Sequence, residues 1–205
     1  MAAVIDLMET GGGALWAIAA LSFVGWYIML DRWLEQQHAR LNTRRWARIV
    51  EPRLAAGDVA DLPALQREWP CIEASAVAFS LATRQDAPDF GEHLRRFMRG
   101  AATRARRRLA SIAVIAAVLP LLGLLGTVTG MVQTFTVLAD VSHPDPRLLA
   151  DGITQALLTT EAGLLAALPL LLGHAVLRSS LRRALDRAQL YAHRARHARD
   201  HQKAA

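Results

Sequence analysis

Two stretches of this chain carry almost no charge, and they decide what it can fold into. Between Ser111 and Ala139 there is no Asp, Glu, Lys or Arg, and from Gly152 to Leu177 Glu161 is the only one. At about 1.5 Å of helix rise per residue, each run exceeds the roughly 30 Å hydrocarbon core of a bilayer. Both are expected to cross a membrane as helices. The 53% hydrophobic content agrees with a chain for which water is not the only solvent.

A third candidate span, "GGGALWAIAALSFVGWYIML" from Gly11 to Leu30, is closed by Asp31 and Arg32. It has no basic region before it and no small-residue cleavage site after it, which favours a retained anchor over a cleaved signal peptide. Trp16, Trp26, Tyr27 and Trp33 stand towards its ends, where aromatic belts sit. The division expected is an amino terminus and first span over 1–31, an insert over 32–110, a second span over 111–139, a loop over 140–152, a third span over 153–177 and a basic tail over 178–205.

Basic residues are unevenly shared among these segments. Of the 24, the stretch 31–110 holds 15 and 178–205 holds 8, while 139–152 holds only Arg147 and 1–13 holds none. The positive-inside rule therefore puts the amino terminus and the short loop outside, and the insert and tail in the cytoplasm. The net charge of +6 is a topology signal rather than a sign of nucleic-acid binding. The single Cys71 excludes an intrachain disulfide and reads as a small buried hydrophobe in a reducing compartment.

In the insert, Trp33, Leu34, Leu41, Trp46, Ile49 and Leu54 suggest a helix with one apolar stripe. Gly57, Pro63 and Pro70 interrupt it, "IEASAVAFSLATRQ" resumes a helical pattern, and "DAPDFGE" makes a break with Asp89 as N-cap. From Phe90, the positions Leu94, Phe97, Met98 and Ala101 complete one face of a helix with no breaker between Gly100 and Pro120. It is expected to run straight into the second span. No phosphate-binding loop, dinucleotide fingerprint or zinc-finger spacing is present, so no enzyme activity, cofactor or catalytic residue is expected. His193, His197 and His201 share a helical face, yet a metal site there lacks further ligands, and none is expected.

Within the second span, Gly123, Gly126, Thr127, Gly130 and Thr134 recur every three or four residues; the third has Gly152, Ala156, Thr160, Gly163 and Ala167. Such ridges of small residues let helix backbones approach closely in lipid. Thr127, Thr134, Thr159 and Thr160 offer a second use, as hydroxyls for water or a polar partner inside a bundle.

The pair "LPLLGLLGTVTGMVQTF" (119–135) and "GITQALLTTEAGLLAALP" (152–169) resembles the signature of the MotA/TolQ/ExbB proton-channel family, ExbB/TolQ branch. The "WYIMLDRW" end of the first span is similar too, whereas the insert matches only in character. The resemblance implies an all-α homopentamer in a bacterial inner membrane, with the second and third spans around a pore that holds an ExbD/TolR-like partner. It also implies proton-driven motion passed to a TonB- or TolA-like transducer. On the same grounds Thr127 and Thr160 correspond to pore-facing threonines.

One position departs from that pattern. Many ExbB-like members have an acid five residues before the third-span threonine, where this chain has Gln155, and its acid is instead Glu161. Six residues of helix turn a side chain by about 240° and move it about 9 Å, so Glu161 does not simply replace the missing group. Burying a charged carboxylate at mid-membrane costs about 2.5–3.5 kcal/mol on insertion scales. Either Glu161 exchanges protons with a moving partner, or it is a neutral acid that fixes subunit geometry. Gln155 joins Thr127 and Thr160 as a group that would solvate a partner's carboxylate.

Pro120 and Pro169 read as static kinks, His174 as an interfacial polar residue, and "RARRR" (104–108) with the tail as faces near anionic headgroups. Two rival readings are a flagellar-type stator of the same superfamily and a non-conducting scaffold. A third alternative is a TolQ-type subunit for envelope integrity.

Overall fold

The computed structural model describes residues 12–59, 61–83, 89–139 and 146–204, and every regular element among them is an α-helix. In chain order these are α1 (Gly12–Ala55), α2 (Leu65–Glu68), α3 (Ile72–Ala82), α4 (Phe90–Ala139) and α5 (Pro146–Ala204). α1, α4 and α5 are long and apolar enough to cross a membrane, which makes this a multi-pass membrane protein.

The helices outrun the spans read from hydropathy. α4 is unbroken from Phe90 through Pro120, as its sequence suggests, and α5 passes through Pro169. α5 also starts at Pro146, inside the stretch expected as a loop; residues 140–145 and those before Gly12 lie outside the described residues. Proline at a first helical position loses nothing, because its missing N–H would have had no intrahelical partner.

Two compact units emerge. Among the described residues, one holds 12–30, 110–139 and 146–175, the other 31–59, 61–83, 89–109 and 176–204. The first unit buries Leu15 and Ile18 of α1, Ile112, Ile115, Ala116 and Leu119 of α4, and Ala156, Thr159, Ala167 and Leu170 of α5. Gly25 admits the close approach of α1, since a Cβ there would lie 2.7 Å from Leu170 Cδ1 and 3.0 Å from Ile115 Cγ2. Large apolar side chains such as Phe23 (75% exposed) and Leu165 (64%) face outward, where only lipid or another chain can cover them.

The second unit has two small cores. Trp46, Val50, Val59, Leu62, Cys71, Ala74, Val77, Tyr191 and Ala195 form one; Ala76, Phe90, Leu94, Met98, Ala188 and Ala192 form the other. Trp46 meets Tyr191 edge to face at 5.0 Å, a geometry favoured by the ring quadrupoles. The Tyr191 hydroxyl donates to Glu51 at 2.6 Å, and burial with that carboxylate pushes its pKa up to about 12. α3 is capped by Cys71, whose sulfur accepts from the Ala74 N–H. Asp89 precedes α4, and its carbonyl accepts from Glu92 and His93.

The stripe expected along α1 is only half right. Trp46 is buried, but Trp33, Leu34 and Leu41 are exposed, and the inward partner of Trp46 is Val50. One and two helical turns before Trp46 the same face carries Thr43 and Ala39, small or polar side chains that apolar counting passes over.

Burial also sets the chemistry of Cys71. Desolvation, ahead of the opposing Ala74 N–H, pushes its thiol up from the usual range. Since the thiolate is the reactive form, Cys71 is expected to resist maleimide labelling at neutral pH in the folded protein and to react at once on denaturation. Rapid labelling of the native chain would contradict this placement.

Candidate functional site

The site is built on the seam between α4 and α5 in the first unit. A Cβ at Gly163 would lie 2.7 Å from the Leu119 carbonyl oxygen and 3.2 Å from Gly123 Cα. One at Gly123 would lie 2.9 Å from the Thr159 carbonyl oxygen, and one at Gly126 would lie 2.5 Å from Thr159 Oγ1. Gly130 is looser, with Ala156 Cβ at 3.5 Å, and Gly152 abuts the Thr134 hydroxyl. Backbone thus rests on backbone, which only small residues permit.

The hydroxyls follow from this contact. Thr159, fully buried, donates to its own Ala156 carbonyl at 2.8 Å with Gly123 O at 3.5 Å, and Thr160 donates across the seam to Gly123 O at 3.2 Å. Thr127 donates to Leu124 O at 2.7 Å, and Thr134 to Gly130 O at 2.8 Å. Each of these four hydroxyls has its proton committed to a backbone carbonyl and keeps lone pairs open.

The other two candidates lie elsewhere on α5. Gln155 turns towards the start of α1, its Nε2 sitting 2.9 Å from where a Cβ on Gly12 would be. Gly12 has φ of 60°, in the left-handed region, so this close approach uses glycine twice over. Glu161 is exposed and lies two residues from both Thr159 and Gly163, hence about 200° around the helix from each. It shares its outward face with Leu157, Leu164, Leu165 and Leu168, all exposed. The structure therefore gathers Thr159 and Thr160 at the Gly123 carbonyl, with Thr127 one turn along α4, and points Glu161 away from them.

Sequence reasoning missed a buried acid. Glu73 of α3 is 1% exposed, accepts from Arg187 Nε and Nη2 at 3.2 Å each through Oε1, and accepts from the Thr43 hydroxyl at 3.1 Å through Oε2. This joins α1, α3 and α5 within the second unit. The signal was available, since Glu73 is the lone charge in "IEASAVAFSLA". Removing Arg187 strands a buried carboxylate, a loss of about 3–5 kcal/mol for fully buried pairs. Because Arg187 is 45% exposed and Thr43 remains, the lower end applies. Arg187→Ala is expected to lower the melting temperature in detergent by on the order of 10 °C, and a melt within 2 °C of the parent would contradict the role.

Among the described residues no group of three or more His, Cys, Asp or Glu could hold a metal ion. Two of the tail histidines pair with each other, the His197 and His201 rings lying 4.5 Å apart, while His193 packs edge-on against Phe90 at 6.0 Å.

A seam of glycines bearing inward threonines, inside a multi-pass helical protein, defines a class of membrane protein in which polar groups are carried at membrane depth. The sequence profile of the MotA/TolQ/ExbB proton channel family matches residues 70–189, more than half of the chain, and the protein belongs to that family. The chain is 46% identical to the biopolymer transport protein exbB1 of Vibrio cholerae over 63 residues, 30% of this chain and 28% of that one. It is 37% identical to the Tol-Pal system protein TolQ of Haemophilus influenzae over 67 residues, 33% of this chain and 29% of the other. A longer match, 26% identical over 192 residues, relates it to a putative ExbB homologue of Methanothermobacter thermautotrophicus, covering 91% of this chain and 67% of the relative. The first two matches thus span under a third of those relatives.

Proposed function

We propose that this chain is the pore-forming subunit of a proton-driven motor in a bacterial inner membrane. Copies of it, five on the family's pattern, surround a passage walled by the Thr127 and Thr160 stretches of α4 and α5. A single-span ExbD/TolR-like partner occupies the passage and carries an acid of its own. Protons crossing it turn or shift that partner, and the motion reaches a TonB- or TolA-like transducer. The observation that carries this reading is the family match falling on the two helices whose glycine contact holds Thr160 on the Gly123 carbonyl.

The energetics suffice. Each charge moving through 100 mV releases about 2.3 kcal/mol, so a few protons can drive a packed helix from one position to the next. Glu161, on an exposed face of α5, is either a proton-exchanging group opposite a neighbouring helix or a neutral acid bonded there. The amino terminus lies outside, and the second unit, with the basic tail, lies in the cytoplasm.

The test is reconstitution. The chain is co-expressed with the ExbD/TolR-like protein of the same genome, weighed intact to count copies, and placed in liposomes holding a pH-sensitive dye. Expected is an oligomer that passes protons under a potassium-diffusion potential when the partner is present. A monomer would refute the reading. An oligomer that conducts nothing with the partner bound would favour the scaffold.

A further inference from the structure

The second unit contains a cleft of about 1240 Å³, above the roughly 300–1,000 Å³ usual for small-ligand pockets. α1, α3, α4 and α5 all contribute walls, which combine two chemistries. Ile72, Phe79, Phe97, Leu109, Leu177 and Leu181 make it apolar, while Arg32, Arg40, Arg67, Arg104 and Arg187 give it a strong positive charge against only Glu35 and Glu73.

Both acids are already engaged. Glu73 is held by Arg187, and Glu35 by Arg32 at 2.7 Å. Among the described residues no carboxylate pairs with Arg40, Arg67 or Arg104, and the buried Arg32 Nε has no hydrogen-bond partner. Arg40 directs both Nε and Nη2 at one neutral oxygen, Ser180 Oγ. A guanidinium fork is matched to two anionic oxygens, so a single hydroxyl leaves it electrostatically uncompensated.

Position within the unit narrows the ligand. Arg32, Leu109 and Leu177 line the cleft within two residues of where the chain passes into the span-bearing unit. Arg104 lies five residues before Leu109 on α4, about 7–8 Å further along the helix. Tails can therefore follow Leu109 and Leu177 while a phosphate lies beside Arg104 and Arg40. Basic pockets between helices on the cytoplasmic side suit anionic headgroups.

We infer that this cleft is a binding site for an anionic phospholipid of the cytoplasmic leaflet, its phosphate taken by Arg40 and Arg104. The inference rests on the orientation given under Proposed function.

The test adds phosphatidylglycerol, phosphatidylcholine or inorganic phosphate to the delipidated, detergent-solubilised full chain and follows retention by native mass spectrometry. The wild type is expected to retain phosphatidylglycerol selectively. Arg40→Ala with Arg104→Ala should lower that retention on the order of 30-fold, with oligomer mass and helical circular dichroism unchanged. Arg44→Ala with Arg48→Ala, exposed, outside the cleft and outside the basic tail, should leave it as it was. Equal retention of phosphatidylcholine, unchanged retention in the cleft variant, or binding of phosphate alone would overturn the inference. So would disulfide capture of a neighbouring chain by Ala101→Cys, because a second copy would then fill the space. Proton flux reads the motor proposal separately, so lost flux with lipid retention intact, or the converse, shows which of the two has failed.

Discussion

Gly163→Leu is expected to yield no stable assembly, whereas Gly130→Ala, on the same seam, should behave like the parent. The difference lies in what each new side chain meets. At Gly163 even the first carbon lands 2.7 Å from the Leu119 carbonyl, and backbone has no rotamer into which to retreat. At Gly130 the nearest atom is Ala156 Cβ at 3.5 Å, ordinary van der Waals contact. Overpacking a core typically costs about 1–3 kcal/mol when side chains can yield. Here α4 and α5 would have to separate, breaking the Thr160 bond to Gly123 as well. Size-exclusion profiles and melting curves in detergent measure both variants. A well-behaved Gly163→Leu oligomer would mean that the two helices do not pack through this seam.

Glu161→Gln carries the second large effect. Glutamine keeps the shape and hydrogen-bonding capacity of a neutral acid but cannot exchange a proton. If Glu161 takes part in proton passage, flux into the reconstituted vesicles should fall to background while the oligomer forms at its normal mass. If the residue serves only as a fixed hydrogen-bonding group, Glu161→Gln retains flux, and Glu161→Leu then loses assembly. Normal flux in both variants would exclude either role and leave the charge among Leu157, Leu164 and Leu165 without a function.

The membrane-crossing helices were legible because hydrocarbon imposes a blunt rule, a long run without charge. The seam was legible for a related reason, since small residues at a spacing of three and four leave a visible gap in an apolar sequence. The inward face of α1 was not. The half-buried Thr43 lies on it with Trp46 and Val50 while Trp33 and Leu41 point outward, so counting apolar residues selected part of the wrong face. Glu73 escaped because a charge in an amphipathic helix is normally solvated, and only the three-dimensional meeting with Arg187 and Thr43 explains its burial. Gln155 makes a contact with Gly12 that depends on where α1 begins, which no local pattern encodes.

The threonine hydroxyls have a directional consequence. Because Thr127, Thr134, Thr159 and Thr160 all give their protons to backbone carbonyls, the protein itself satisfies the donors at the seam. No water is needed to take up these protons, so α4 and α5 can press together in lipid without stranding a donor. The contact is self-sufficient in hydrogen bonds as well as in shape, and α4 and α5 are expected to move as a pair.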